Sequence, residues 1–200
     1  MRRKTFDLLA SGIGIGLTLT LILAGALLMW ASVFTTTEVH NQLAKQDIVF
    51  PAASAFAHAK AGTEITPGMK PYLLKYAGQE MLTGAQAEAY ADHFIAVHLS
   101  EMPYHGVYSK VSAASMANPT NAALAAEVQT TFRGTTLRSM LLEAYGFGTF
   151  GTIAFVASIV SFVLAGLMIL LSIFGFWHMR RVSPAVEVFA ARVGRVSAAH

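Results

Sequence analysis

Five histidines, His40, His58, His93, His98 and His105, fall in the middle of this 200-residue chain, with Glu88, Asp92 and Glu101 in the same stretch. Imidazole and carboxylate are the ligand types of a zinc or other divalent-cation centre. The spacing argues against one. His93 and His98 are five residues apart, which on a helix is a rotation of about 140°, so the pair does not share a face as an i, i+4 pair would. No H-E-x-x-H or comparable cluster occurs. Assembly of ligands from different helices is the one arrangement left open, and no metal ligand is assigned. Glu88 and Asp92 share a helix face, where paired carboxylates are ordinarily solvated, and no G-x-S-x-G marks a serine nucleophile. Gly146-Phe147-Gly148-Thr149-Phe150-Gly151 matches G-x-G-x-x-G in letters. A dinucleotide site also needs a preceding strand and a ribose-binding acid about 20 residues on, and no acid follows until Glu187. These glycines are read instead as places where the chain bends or packs closely. No catalytic residue and no cofactor is expected, so the chain is read as non-enzymatic.

The arginines carry a different chemistry. In FRGTTLRSMLLEAYGFGTFG, Arg133 and Arg138 lie just ahead of an apolar run. There they can meet lipid phosphates, Glu143 or a partner's carboxylates, or snorkel to an interface. Arg180 and Arg181 stand beyond the far end of that run.

The elements that would position these groups are dominated by two apolar stretches. Ala144 to Met179 and Leu8 to Thr37 contain no Asp, Glu, Lys or Arg, and each exceeds the roughly 20 residues needed to cross a bilayer core as a helix. Composition agrees: 54% of residues are hydrophobic and 12% charged. The terminal regions carry Arg2, Arg3, Lys4, Arg180, Arg181, Arg192 and Arg195 against Asp7 and Glu187, a net +5, whereas Thr35 to Gly146 carries −2. Basic residues on the terminal side of both spans place both termini in the cytoplasm. The expected layout is a basic N-terminus over 1–10, a transmembrane helix over 11–34 and an extracytoplasmic helical domain over 35–146, then a second transmembrane helix over 147–177 and a cytoplasmic tail over 178–200. The fold class is all-α, and the location a multi-pass protein of the plasma membrane. The first apolar run outlasts the 7–15 residues of a signal-peptide core, so an uncleaved anchor is expected. The basic clusters are small and flank spans, so nucleic acid is not an expected partner. There is no cysteine, and the outward domain must hold together by packing.

Within the first span Gly12, Gly16, Thr20 and Ala24 recur every four residues, and Ala157, Ser161 and Ala165 do so in the second. Small side chains on one face let a neighbouring helix approach closely, so the stripes are candidates for packing on each other or on a partner. No ionisable residue lies in either span, which disfavours a transporter acting alone. Between the spans, Thr83-Gly84-Ala85-Gln86 fits a capping box, with Tyr90, Phe94 and Val97 on one stripe and Pro103 as the stop. Asn118-Pro119 reads as a second helix start. That helix carries Leu124, Val128 and Phe132 on one face and is expected to stop at Gly134, before Leu137, Leu141 and Ala144 lead into the second span. Ser183-Pro184 opens either a short amphipathic segment suited to an anionic membrane surface or a frayed tail, and the sequence leaves both open.

YAGQEMLTGAQAEAYADHFIAVHL, YSKVSAASMANP and the arginine stretch above resemble a group of uncharacterised actinobacterial two-span membrane proteins, over most of the chain. The resemblance implies the same layout and no activity. Some such sequences bear a ring-opening dioxygenase label, for which no metal-ligand pattern is visible here. The expectation is a scaffold or accessory subunit in contact with membrane lipid and with another membrane protein or a second copy of itself. The alternative is a sensory, ligand-binding protein, which would signal through a separate partner because the tail over 178–200 is too short for an output domain.

Overall fold

The computed structural model describes residues 3–181; the amphipathic reading of the segment after Ser183 lies outside them. Among the described residues the fold is all-helical. Helices α1 (Arg3–Ala44) and α7 (Ala122–Arg181) are long and apolar enough to cross a membrane. Between them come α2 (Ala53–Ala57), α3 (Lys70–Leu73), α4 (Gly84–Tyr90), a π-helical turn (Ala91–Ile95), α5 (Ala96–Glu101) and α6 (Tyr108–Ala117). The chain divides into two compact units, one of Met1–Trp30 with Ala154–His200 and one of Ala31–Ile153.

In the first unit the two apolar helices pair antiparallel through small residues. A Cβ on Gly175 would strike the Ser11 hydroxyl, one on Gly14 the Ser172 hydroxyl, and one on Gly25 would lie 2.9 Å from the Phe162 ring. The buried positions are Ser11, Gly14, Thr18 and Gly25 on one helix and Ser158, Ala165 and Ser172 on the other. Their intervals of three, four and seven are those of a left-handed coiled-coil seam, here filled with side chains small enough for close backbone approach. Two of the hydroxyls are satisfied locally: Thr18 Oγ1 donates to Gly14 O at 2.8 Å and Ser158 Oγ to Phe155 O at 2.7 Å. At one end, Asp7 Oδ2 and His178 Nδ1 are 3.1 Å apart.

The second unit is built around Phe50, Phe56, Met69, Leu73 and Met81, each no more than 2% exposed. Pro51 keeps the preceding residues out of helix, and the extended segment pairs with the one before α4. Phe50 N–H donates to Gln79 O at 2.9 Å and Met81 N–H to Ile48 O at 2.8 Å. Phe50 meets the Tyr76 ring at 5.2 Å and the edge of Tyr90 at 5.5 Å.

The expected capping box is present at Thr83. Its Oγ1 accepts from Gln86 N–H at 3.3 Å, and Gln86 Oε1 accepts from the N–H groups of Thr83 and Leu82 at 2.9 and 2.8 Å. The Gln86 amide also donates to Glu80 O at 3.2 Å, tying the cap to the paired segment. Thr83→Ala is expected to lower the stability of the unit by about 1 kcal/mol, read as a lowered unfolding midpoint in denaturant.

Two expectations about α7 are corrected. It starts later than Asn118-Pro119: Asn121 Oδ1 caps it, accepting from Ala123 and Leu124 N–H at 3.0 and 3.2 Å. It does not stop at Gly134, because that glycine lets Leu99 pack against the helix; a Cβ there would lie 2.9 Å from Leu99 Cδ2. Phe132 is 52% exposed, and the inward position beside it is Thr131, fully buried with its hydroxyl 3.9 Å from Met102 Sδ. Between α5 and α6 the backbone turns through Tyr104, His105 and Gly106 with φ of 56°, 55° and 62°. A Cβ on Gly106 would collide with Leu99 O. Gly106→Ala is therefore expected to cost roughly 1–3 kcal/mol, seen as a fall in unfolding temperature.

Candidate functional site

The histidines are dispersed by the fold. His93 stacks on Tyr72, ring centroids 3.4 Å apart and planes within 5°. One turn on, His98 Nδ1 lies 2.7 Å from Phe94 O, and its ring lies 4.5 Å from the Phe94 ring. His105 Nδ1 is 3.3 Å from Ser100 O, and His40 and His58 are exposed. Among the described residues no group of three or more His, Asp or Glu side chains is placed to hold a metal ion. The Tyr90 phenol, packed between Phe50 and Phe94, has its pKa raised above the usual value, first by burial and then by the Glu64 carboxylate.

The G-x-G-x-x-G glycines serve packing inside a continuous helix. A Cβ on Gly148 would touch Gly84 Cα at 3.4 Å, and one on Gly151 would lie 3.1 Å from Thr36 Oγ1. Gly146 has nothing within 4 Å of its would-be Cβ. Of the two readings, bending or close packing, close packing is the one seen at Gly148 and Gly151, and the helix is continuous from Ala122 to Arg181.

Arg138 has an intrachain partner. Its Nη2 donates to Asp92 Oδ1 at 2.6 Å, joining α7 to the π-helical turn. The carboxylate it meets is thus Asp92 rather than Glu143. Nothing in the local sequence announces this pair, whose members are 46 positions apart. Arg133 and Arg180 are exposed, and Arg181 lies over the Trp177 ring at 3.8 Å.

The small-residue stripes divide. Ala165 is buried in the intrachain seam, while Ser161 and Ala157 are half-buried. Gly12 and Gly16 have nothing within 4 Å of a would-be Cβ, Thr20 is exposed and Ala24 half-buried. The two helices of this unit therefore pair through Ser11, Gly14, Thr18 and Gly25, a seam that the every-fourth-residue reading missed because glycine and threonine occupy both faces.

The unit of residues 31–153 also holds concave surfaces of ligand size. One cleft of about 350 Å³ lies between Phe34, Glu38 and Val39 of α1 and Met140, Glu143 and Phe147 of α7. A second of about 350 Å³ is lined by Glu64, Phe94, His98, Leu99 and Met102. Compared with protein-family models, with curated proteins and with solved structures, the chain finds no match.

Proposed function

We propose that this chain is a two-span protein of the cell membrane, both termini cytoplasmic and residues 35–146 extracytoplasmic, serving without catalysis as a scaffold or accessory subunit of a membrane or envelope complex. The observation that carries the reading is what remains uncovered after the apolar helices have paired. Only 17% of the most apolar window of α1 and 11% of that of α7 is buried. A core helix of a water-soluble domain would bury most of such a window. Lipid and a partner's helices are the surroundings that accommodate it without cost. The exposed face with Gly12, Gly16 and Thr20 offers a second helix the close approach that small residues permit. The basic residues beyond both spans support the orientation.

Co-purification in mild detergent from native membranes tests the role. Stoichiometric recovery of one membrane complex is the expected result, and a chain recovered alone or only with copies of itself contradicts the accessory reading. The second reading, a sensor of a small ligand, draws its support from the clefts of the 31–153 unit.

A further inference from the structure

The geometry points to the cleft between Phe34 and Phe147 as a binding site for a cationic amphiphile: an alkyl chain ending in an ammonium group. The site is a cavity of about 350 Å³ in which α1 and α7 contribute matching halves. Each half follows helical spacing. On α1 Phe34 and Glu38 are i and i+4, with Val39 behind them; on α7 Met140, Glu143 and Phe147 are i, i+3 and i+7, on one face. The walls are apolar: Met140 and Phe147 are 62% and 51% exposed, while Val39 is 7% exposed and belongs to the core.

The charge of the lining chooses the guest. Two carboxylates, Glu38 and Glu143, face the cleft, and no Lys, Arg or His lines it. Among the described residues the ion pairs are Arg138–Asp92 and His178–Asp7, so neither glutamate is in one. An apolar chain laid between the two phenylalanines and Met140 would place its ammonium head where both carboxylates can accept charge-assisted hydrogen bonds. An anion there would meet two like charges with no compensating cation. A neutral alkyl chain would gain the apolar contact alone.

The test uses the purified full chain in phosphatidylcholine nanodiscs, titrated calorimetrically with hexylammonium, a probe short enough to stay largely in water. Hexanol and hexanoate serve as the neutral and anionic comparisons. Saturable binding of hexylammonium is expected, at least tenfold tighter than either comparison. It should weaken tenfold or more in the Glu38→Gln/Glu143→Gln double variant and several-fold in Glu143→Gln alone. Phe147→Ser should also weaken it, and Glu101→Gln, away from the cleft, should bind as the parent does. Helical circular dichroism confirms that each variant is folded, and the single glutamine variant keeps the test decisive if the double one is not. Hexanol binding as tightly as hexylammonium, affinity unchanged in the folded glutamine variants, or the absence of saturable binding would each overturn the assignment. The site does not depend on the accessory-subunit reading, whose failure would show in co-purification and not in this titration.

Discussion

Phe50→Ala is expected to be the most damaging single substitution in the 31–153 unit, lowering its stability by about 3–5 kcal/mol. Phe50 is 2% exposed and lies where three parts of that unit converge. Its ring meets Tyr76 and Tyr90, and its backbone N–H and C=O bond to Gln79 and Gly78. Truncation removes the ring contacts but leaves those backbone bonds holding the segment in place, so the cavity has little freedom to collapse. Denaturant unfolding monitored by circular dichroism should show a sharply lowered midpoint, or no folded unit at all. A shift smaller than about 1 kcal/mol would mean that the core is not organised around this ring.

The second large effect is expected at Gly84. Its Cα–Cβ direction points into the backbone of α7, where a Cβ would lie 2.9 Å from Ala144 O and 3.0 Å from Tyr145 Cα. Backbone atoms inside a continuous helix cannot swing aside as a side-chain tip can. Gly84→Val should therefore force α4 away from α7 and cost at least the roughly 1–3 kcal/mol typical of overpacking. Gly146→Ala provides the contrast. Nothing lies within 4 Å of a Cβ at that position, so removing a mid-helix glycine should raise stability by roughly 0.5–1 kcal/mol. Parallel unfolding curves of the two variants separate close packing from glycine's general cost to a helix. Equal and opposite signs reversed from these would refute the α4–α7 contact.

What the sequence makes legible is local. The Thr83–Gln86 cap can be read because its partners lie three residues apart and the hydrogen bonds follow from residue type. The long apolar helices are legible from composition, but Leu137, Leu141 and Ala144, whose spacing reads only as a stripe leading into the second apolar run, turn out to pack on the core. Long-range choices are not legible. Gly134 looks like a helix stop until Leu99 is found against it, and tertiary packing then outweighs glycine's low helix propensity. Helix α6 has a single fully buried apolar residue, Val111, and so leaves no periodic stripe to read. The π-helical turn has no sequence mark, yet it carries Asp92, the residue that meets Arg138.

The candidate site shows the same division. Glu38 and Glu143 stand 105 positions apart in the chain, and only the pairing of α1 with α7 makes them two sides of one cleft. In the two long apolar helices, small residues at intervals of four and at intervals of three and four coexist, and a single helix cannot say which set its neighbour will use. The Ser11–Gly175 and Gly14–Ser172 contacts decide for the second set within this chain.

The proposed function requires residues 35–146 on the outer side of the membrane and both termini in the cytoplasm. The chain has no cysteine, so single thiols introduced at Ser109 and, separately, at Ala199 report without background. Ser109 is exposed at the start of α6. Intact cells treated with a membrane-impermeant maleimide should label Ser109→Cys, whereas Ala199→Cys should label only after the membrane is permeabilised. Labelling of Ala199→Cys in intact cells, or protection of Ser109→Cys until permeabilisation, would contradict the topology and with it the proposed function.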